Sequence, residues 1–153
     1  MPNVGDHAPS FEAKDHRGNL IRLEDFKGKK NIVLFFYPKD FTPGCTKEVC
    51  SFRDAFSELE AADTTVIGVS LDDEDSHEQF ASKHGLQFPL LADTSRRISK
   101  AYGALGMMSG ILSMTKRITF VIDKEGIIRN VFRHELAIEK HLDDVRATLR
   151  SLQ

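Results

Sequence analysis

Unbroken apolar runs of strand length alternate along this chain with stretches in which apolar residues recur every three or four positions. Asn31 to Tyr37 is such a run, apolar throughout from Ile32 and stopped by Pro38, which suits a central strand buried on both faces. After it, apolar residues fall at 45, 49, 52, 56 and 59. At about 100° per residue they lie within about 40° of Cys45, the spacing of one helical face. Thr64 to Leu71 reads as a second buried strand, and a helix over Glu74 to His84 is stopped by Gly85. Phe88 to Leu91 reads as a short strand that Pro89 marks as an edge, and Ser95 to Tyr102 as a brief helix ended by Gly103. Arg117 to Asp123 and Ile127 to Phe132 form a strand hairpin about a turn at Asp123 to Gly126. A last helix then lines up Ile138, Leu142, Val145, Leu149 and Leu152.

The beginning of the chain is less periodic. Residues 1–9 read as an extended lead-in, followed by a hairpin of Phe11 to Lys14 and Asn19 to Leu23 with Gly18 in its turn. Glu24 to Gly28 reads as one helical turn. Gly103 to Met114, rich in glycine and methionine, reads as an irregular loop that either lines a pocket or merely covers the core. Strands joined through a helix are normally parallel with a right-handed crossover. The order therefore predicts an α/β, thioredoxin-like fold: a mixed central sheet flanked by helices, with an N-terminal β-hairpin.

Composition narrows the function without naming it. The 153 residues carry 21 basic and 23 acidic side chains, a net charge of −2, with signs interleaved. A basic stripe is absent, so nucleic acid is not the expected partner. The chain contains no apolar run near the ~20 residues that span a bilayer. Its first residues lack the basic start and apolar core of a signal peptide. One domain over 1–153 is expected, without linker or repeat. Two cysteines in such a chain suggest reactive thiols in a reducing cytoplasm, not a disulfide framework.

Both cysteines fall in one stretch, Thr42-Pro43-Gly44-Cys45-Thr46-Lys47-Glu48-Val49-Cys50. Thr42 offers an N-cap oxygen and Pro43 fits the first helical position, which puts Cys45 in the first turn. Unpaired N–H groups and the positive end of the helix dipole favour a thiolate there, in surroundings expected to be partly open. Arg117, at the start of a neighbouring strand, is the candidate cation. An attacking thiolate beside an arginine can cleave a peroxide and become a sulfenic acid, which a second thiol captures as a disulfide. Cys50 is the candidate second thiol. It comes out about 140° from Cys45, towards solvent, and residues i and i+5 of an intact helix have Cα atoms about 8–9 Å apart. A disulfide rarely tolerates more than about 7 Å, so joining the two requires the first turns to unwind.

Blander readings stand beside these. Thr42 is also explained as a cap alone, Cys50 as an incidental surface thiol, and Arg117 as a strand-end charge. Asp72 to Asp75 either bind a metal or answer a helix dipole. Glu48 reads as structural, pairing with Lys47 or Arg53 or bonding near the site. Three function classes follow: a dithiol peroxidase, a disulfide oxidoreductase, and a non-enzymatic redox partner. Oxidoreductases of that kind favour Cys-x-x-Cys, and Cys-x4-Cys argues against them.

Pro38-x-x-x-Thr42-x-x-Cys45 resembles the peroxiredoxin active-site pattern. The stretch from Thr42 to Asp54 is similar to the peroxiredoxin Q subfamily, also called bacterioferritin comigratory protein. The likeness extends to Val4-Gly5-Asp6-x-Ala8-Pro9-x-Phe11 and to Arg117 through Asp123, most of the chain. The resemblance implies a peroxidatic Cys45 with Pro38, Thr42 and Arg117 completing its site, and a resolving Cys50. It further implies hydrogen peroxide and organic hydroperoxides as substrates, thioredoxin or a glutaredoxin-like dithiol protein as reductant, no metal or haem, and a monomer.

Overall fold

The computed structural model describes residues 1–108, 112–134 and 138–152. A hairpin of β1 (Glu12–Lys14) and β2 (Leu20–Arg22) comes first, with Gly18 at φ 80° in its turn, then a 3-10 turn over Leu23–Phe26. Next come β3 (Asn31–Phe36), α1 (Pro43–Asp54), α2 (Phe56–Ala61), β4 (Thr64–Ser70) and α3 (Glu74–His84). β5 (Leu90–Ala92), α4 (Arg97–Ala101), β6 (Leu105–Met108) and β7 (Leu112–Thr115) follow. β8 (Ile118–Ile122), β9 (Ile128–Phe132) and α5 (Glu139–Ser151) end the order.

The main sheet has the order β5-β4-β3-β8-β9. β3, β4 and β5 are parallel, and β8 and β9 add to them antiparallel, which makes the sheet mixed as expected. Period-two alternation sends Val33, Phe35 and Tyr37 to one face of β3 and Ile32, Leu34 and Phe36 to the other. The first face is covered by Cys45, Val49 and Phe52 of α1, Phe80 of α3, and Leu142, Val145 and Leu149 of α5. On the second lie Ile98 of α4, Tyr102 and the N-terminal Phe11 and Leu23. Helices thus flank both faces of a thioredoxin-like sheet. Fully burying each such side chain contributes about 1.5–3 kcal/mol. At Gly68 the layers meet closely: a Cβ there would stand 2.7 Å from Leu90 Cδ2 and 2.8 Å from Phe35 Cζ.

Two expectations are corrected. The helix read as continuous through position 59 bends at Ala55 (φ −91°, ψ 3°), although Leu59 remains buried beyond the bend. Gly103 to Met114 is not an irregular loop over its described part. β6 and β7 pair antiparallel there, and 109–111 lie outside the described residues. The ribbon ends on a fixed point, because buried Thr115 donates its hydroxyl proton to Tyr37 O, at the end of β3.

Candidate active site

The site is built where β3 hands over to α1. Pro38, half-buried, cannot continue the ladder, and the chain turns through Phe41, whose φ of 66° is uncommon outside glycine. A buried network fixes this turn. Tyr37 Oη donates to Asp40 Oδ1 at 2.6 Å, Ser76 Oγ donates to Asp40 Oδ2 at 2.8 Å, and His77 Nδ1 lies 2.7 Å from Asp40 Oδ2. Asp40 N in turn donates to Asp72 Oδ2 at 2.9 Å. Burial, and then the charge of Asp40, push the Tyr37 phenol well above its ordinary range, so it remains a donor.

Thr42 occupies the N-cap with extended backbone, and its carbonyl accepts from Thr46 N–H at 2.9 Å. Its side chain does not cap the helix as the sequence suggested. The hydroxyl donates to Lys39 O at 2.9 Å, which leaves its oxygen lone pairs to accept from an incoming group. Pro43 takes the first helical position and Cys45 the third, in the turn whose N–H groups lack intrahelical acceptors.

Arg117 reaches this turn from just before β8. Its Nη2 donates to Cys45 Sγ at 3.3 Å and its Nη1 to Glu48 Oε1 at 2.9 Å. Burial works against the guanidinium charge, but Glu48 and Cys45 more than offset it and raise the pKa above the ordinary arginine value. Cys45 and Glu48 are each 0% exposed and Arg117 is 6% exposed. The thiol is therefore closed in, where its reactivity had predicted a partly open setting. Glu48 Oε2 lies 3.6 Å from Nδ1 of His141, a buried ring between Thr119 Oγ1 at 2.8 Å and His134 O at 2.9 Å. Gly44 makes the approach of Arg117 feasible: a Cβ there would meet Ile138 Cδ1 at 2.9 Å and Arg117 Nη2 at 3.2 Å.

Cys50 does not face open solvent. It is half-buried against the core, with Sγ 3.7 Å from His84 Nδ1 at the end of α3. Both thiols are free. Helical twist puts Cys50 about 140° from Cys45, and the end of α3 at His84 lies against it there.

The structure thus brings Cys45 and Arg117 into contact, holds Thr42 and Pro38 on the adjoining turn, and leaves Cys50 on the far side of the helix. Sequence reasoning missed Glu48 as the partner of Arg117. Lys47 pairs with Glu139, and Arg53 with Asp54, instead. It also missed His77 and His84, although both sit at helical spacing from buried Phe80 and Ala81. Of the acidic run, Asp73 caps α3 by accepting from Ser76 N at 2.9 Å, as the dipole reading expects. Asp40, Asp72 and His77 have ligand-type atoms within 4.8 Å of one another. Tyr37, Ser76, Ser70 and the Asp40 amide already satisfy those carboxylates, the pattern of a structural network.

Comparison with known proteins points the same way. The AhpC/TSA family model matches residues 4–131. A protein named "Peroxiredoxin Q, chloroplastic" from Populus jackii is 41% identical over 150 residues, 98% of this chain and 69% of that one. The crystal structure of peroxidoxin BcpB from Mycobacterium tuberculosis superposes with a TM-score of 0.93 at 35% identity, covering 100% of this chain and 99% of that one. A structure of Xanthomonas campestris bacterioferritin comigratory protein, solved for its alkyl peroxide reduction activity, has a TM-score of 0.84 at 30% identity. It covers 92% of this chain and 90% of that one.

Proposed function

The chain belongs to the AhpC/TSA family, and from that membership we propose a two-cysteine peroxidase cycle run within one chain. It is a thiol-dependent peroxidase of the peroxiredoxin Q kind. The observation that carries our residue assignment is the Arg117 guanidinium, 3.3 Å from Cys45 Sγ in the first turn of α1. The Cys45 thiolate attacks one oxygen of the hydroperoxide, the O–O bond breaks, and the departing oxygen leaves as water or alcohol after taking a proton. Arg117 offsets the negative charge that moves from sulfur to that oxygen, the role that preorganised donors play for developing anions. The Thr42 oxygen accepts the hydroperoxide proton in a hydrogen bond, and Pro38 screens the thiolate from water.

The product is a sulfenic acid on Cys45. Cys50 attacks its sulfur, the S–O bond breaks, water leaves, and a Cys45–Cys50 disulfide forms. A dithiol protein, thioredoxin or a glutaredoxin-like carrier, returns both thiols. Because the two cysteines sit on opposite sides of α1, the first turns must unwind between the half-reactions. Two cysteines in a chain of 153 residues suit a reducing compartment, and we assign the chain to the cytoplasm as a monomer, although the Populus jackii protein is named chloroplastic.

Peroxide consumption by the wild type, Cys45→Ser and Cys50→Ser tests the assignment. Cys45→Ser is expected to be inactive. Cys50→Ser is expected to complete one oxidation and then fail to turn over with thioredoxin. Full activity in Cys45→Ser would overturn it.

A further inference from the structure

The end of α3 presents His84 to Cys50, with Nδ1 3.7 Å from Sγ, a contact that the peroxide-reducing step does not use. Around it the C-terminal half of α1 is pinned. Arg53 Nη1 donates to His84 O at 2.9 Å, and Gln87 Nε2 donates to Arg53 O at 3.4 Å. Phe52, fully buried, stacks on Phe35 with centroids 4.9 Å apart. The His84 ring packs edge-on against Phe80 at 5.2 Å. The N-terminal turn is held differently, through the bond from Arg117 to the Cys45 sulfur. Oxidation to a sulfenic acid removes the negative charge that strengthens this bond. If the N-terminal turn is the part of α1 that releases, Cys45 travels to a Cys50 that stays beside His84.

We infer that His84 is a catalytic base of the second half-reaction, taking the Cys50 thiol proton and returning it to the oxygen that leaves Cys45. This rests on the proposed resolving role of Cys50. The balance is closed: the thiol proton moves to His84 Nδ1, the Cys50 thiolate forms the S–S bond, the S–O bond breaks, and the imidazolium gives its proton to the departing hydroxide, which leaves as water. The sulfenic sulfur is reduced and the Cys50 sulfur oxidised, and His84 ends as it began.

The surroundings suit both protonation states. Burial, then the charges of Lys83 and Arg53, lower the pKa of His84 below the ordinary histidine value, which favours the neutral ring, and in the tautomer with its proton on Nε2 the Nδ1 atom accepts from the Cys50 thiol. The C-terminal end of α3 favours the imidazolium once it forms. A free thiol of ordinary acidity is only about 3% thiolate at about pH 7, so a base that removes its proton can raise the supply of nucleophile by up to about 30-fold.

Single-turnover rapid quench separates the two steps. The full chain is mixed with one equivalent of hydrogen peroxide, stopped with a sulfenate trap, and read by intact mass over about pH 6–9. In His84→Asn, sulfenate should appear at the wild-type rate. Disulfide formation should slow about 10- to 30-fold at about pH 7, with the deficit closing towards about pH 9 where solvent supplies thiolate unaided. In His84→Ala, added imidazole should restore the rate. Wild-type disulfide formation in His84→Asn near neutral pH, an equal loss at every pH, or no rescue by imidazole would overturn the inference. A wild type that forms no Cys45–Cys50 disulfide at all would instead overturn the reading on which it rests.

Discussion

Arg117→Met, alone and combined with Glu48→Met, tests whether Arg117 serves the chemistry of this site or only its architecture. The substitution removes the Nη2 bond to Cys45 Sγ and the Nη1 bond to Glu48 Oε1 together. A hydrogen bond to a charged group contributes about 1.5–3 kcal/mol, so if Cys45 is the attacking thiolate, losing this bond alone corresponds to about 10- to 150-fold in rate. A lost donor to a developing oxyanion typically lowers the rate about 10²–10³-fold, and the larger figure applies if the departing peroxide oxygen is also held by Arg117. The same change leaves the carboxylate of Glu48 buried without this partner, and breaking a buried pair destabilises by about 3–5 kcal/mol. The single variant therefore confuses the two effects, and the double variant Arg117→Met/Glu48→Met does not. Replacing both ends of a buried ion pair by apolar side chains is often neutral for stability. The double variant should recover most of the urea midpoint while stopped-flow oxidation of Cys45 stays at least about 100-fold slow. Recovery of oxidation to within about threefold of wild type along with stability would mean that Arg117 is only a brace.

Three further outcomes follow from the same geometry. Gly44→Ala trades a gain in helix propensity of about 1 kcal/mol against crowding of Ile138 and Arg117, so stability should change little. Cys45 oxidation should nevertheless slow about tenfold as the guanidinium is displaced, and a rate equal to wild type would show that its position is slack. Burial, the largest effect at His141, lowers its pKa, so the unfolded chain binds that proton more readily. Its contribution is complete above about pH 6.5 and is lost as pH falls towards the lowered folded value, with a slope of at most about 1.4 kcal/mol per pH unit. Urea midpoints should fall below that pH in the wild type and fall less in His141→Gln; parallel curves would contradict this. Asp40→Asn keeps the shape of the turn but weakens the bonds from Tyr37, Ser76 and His77. It should lower stability by about 2–3 kcal/mol and speed amide exchange over residues 38–46, and unchanged exchange there would remove the network as the anchor of the turn.

The parts of this molecule that were legible in its sequence are those governed by local rules. α3 spans Glu74 to His84 and stops at Gly85 as expected, because a capping Asp73 and a left-handed glycine act within a few positions. Cys45 at the third position of α1 followed from Pro38, Thr42 and Pro43 in the same way. The surroundings of Cys50 were not legible: helical phase gives its direction from the α1 axis but not that α3 lies there. Glu48 was read as structural, with Lys47 or Arg53 as its nearby partners in sequence; only the pairing of β3 with β8 brings Arg117 over it. The β6–β7 ribbon was read as a loop because Leu-Gly-Met-Met shows no alternation of apolar and polar residues. Thr42 was placed correctly as a cap, but its hydroxyl turned to Lys39 O, a choice between two nearby acceptors that sequence does not decide.

In the proposed cycle one helix carries both thiols and must unwind to join them. Intact mass and a disulfide map of the reduced protein after one equivalent of hydrogen peroxide test it most directly. The expected product is a monomer lighter by two hydrogen atoms, with Cys45 linked to Cys50 in the same chain. A linkage between two chains, or a sulfenic acid that persists on Cys45 with Cys50 still free, would contradict it.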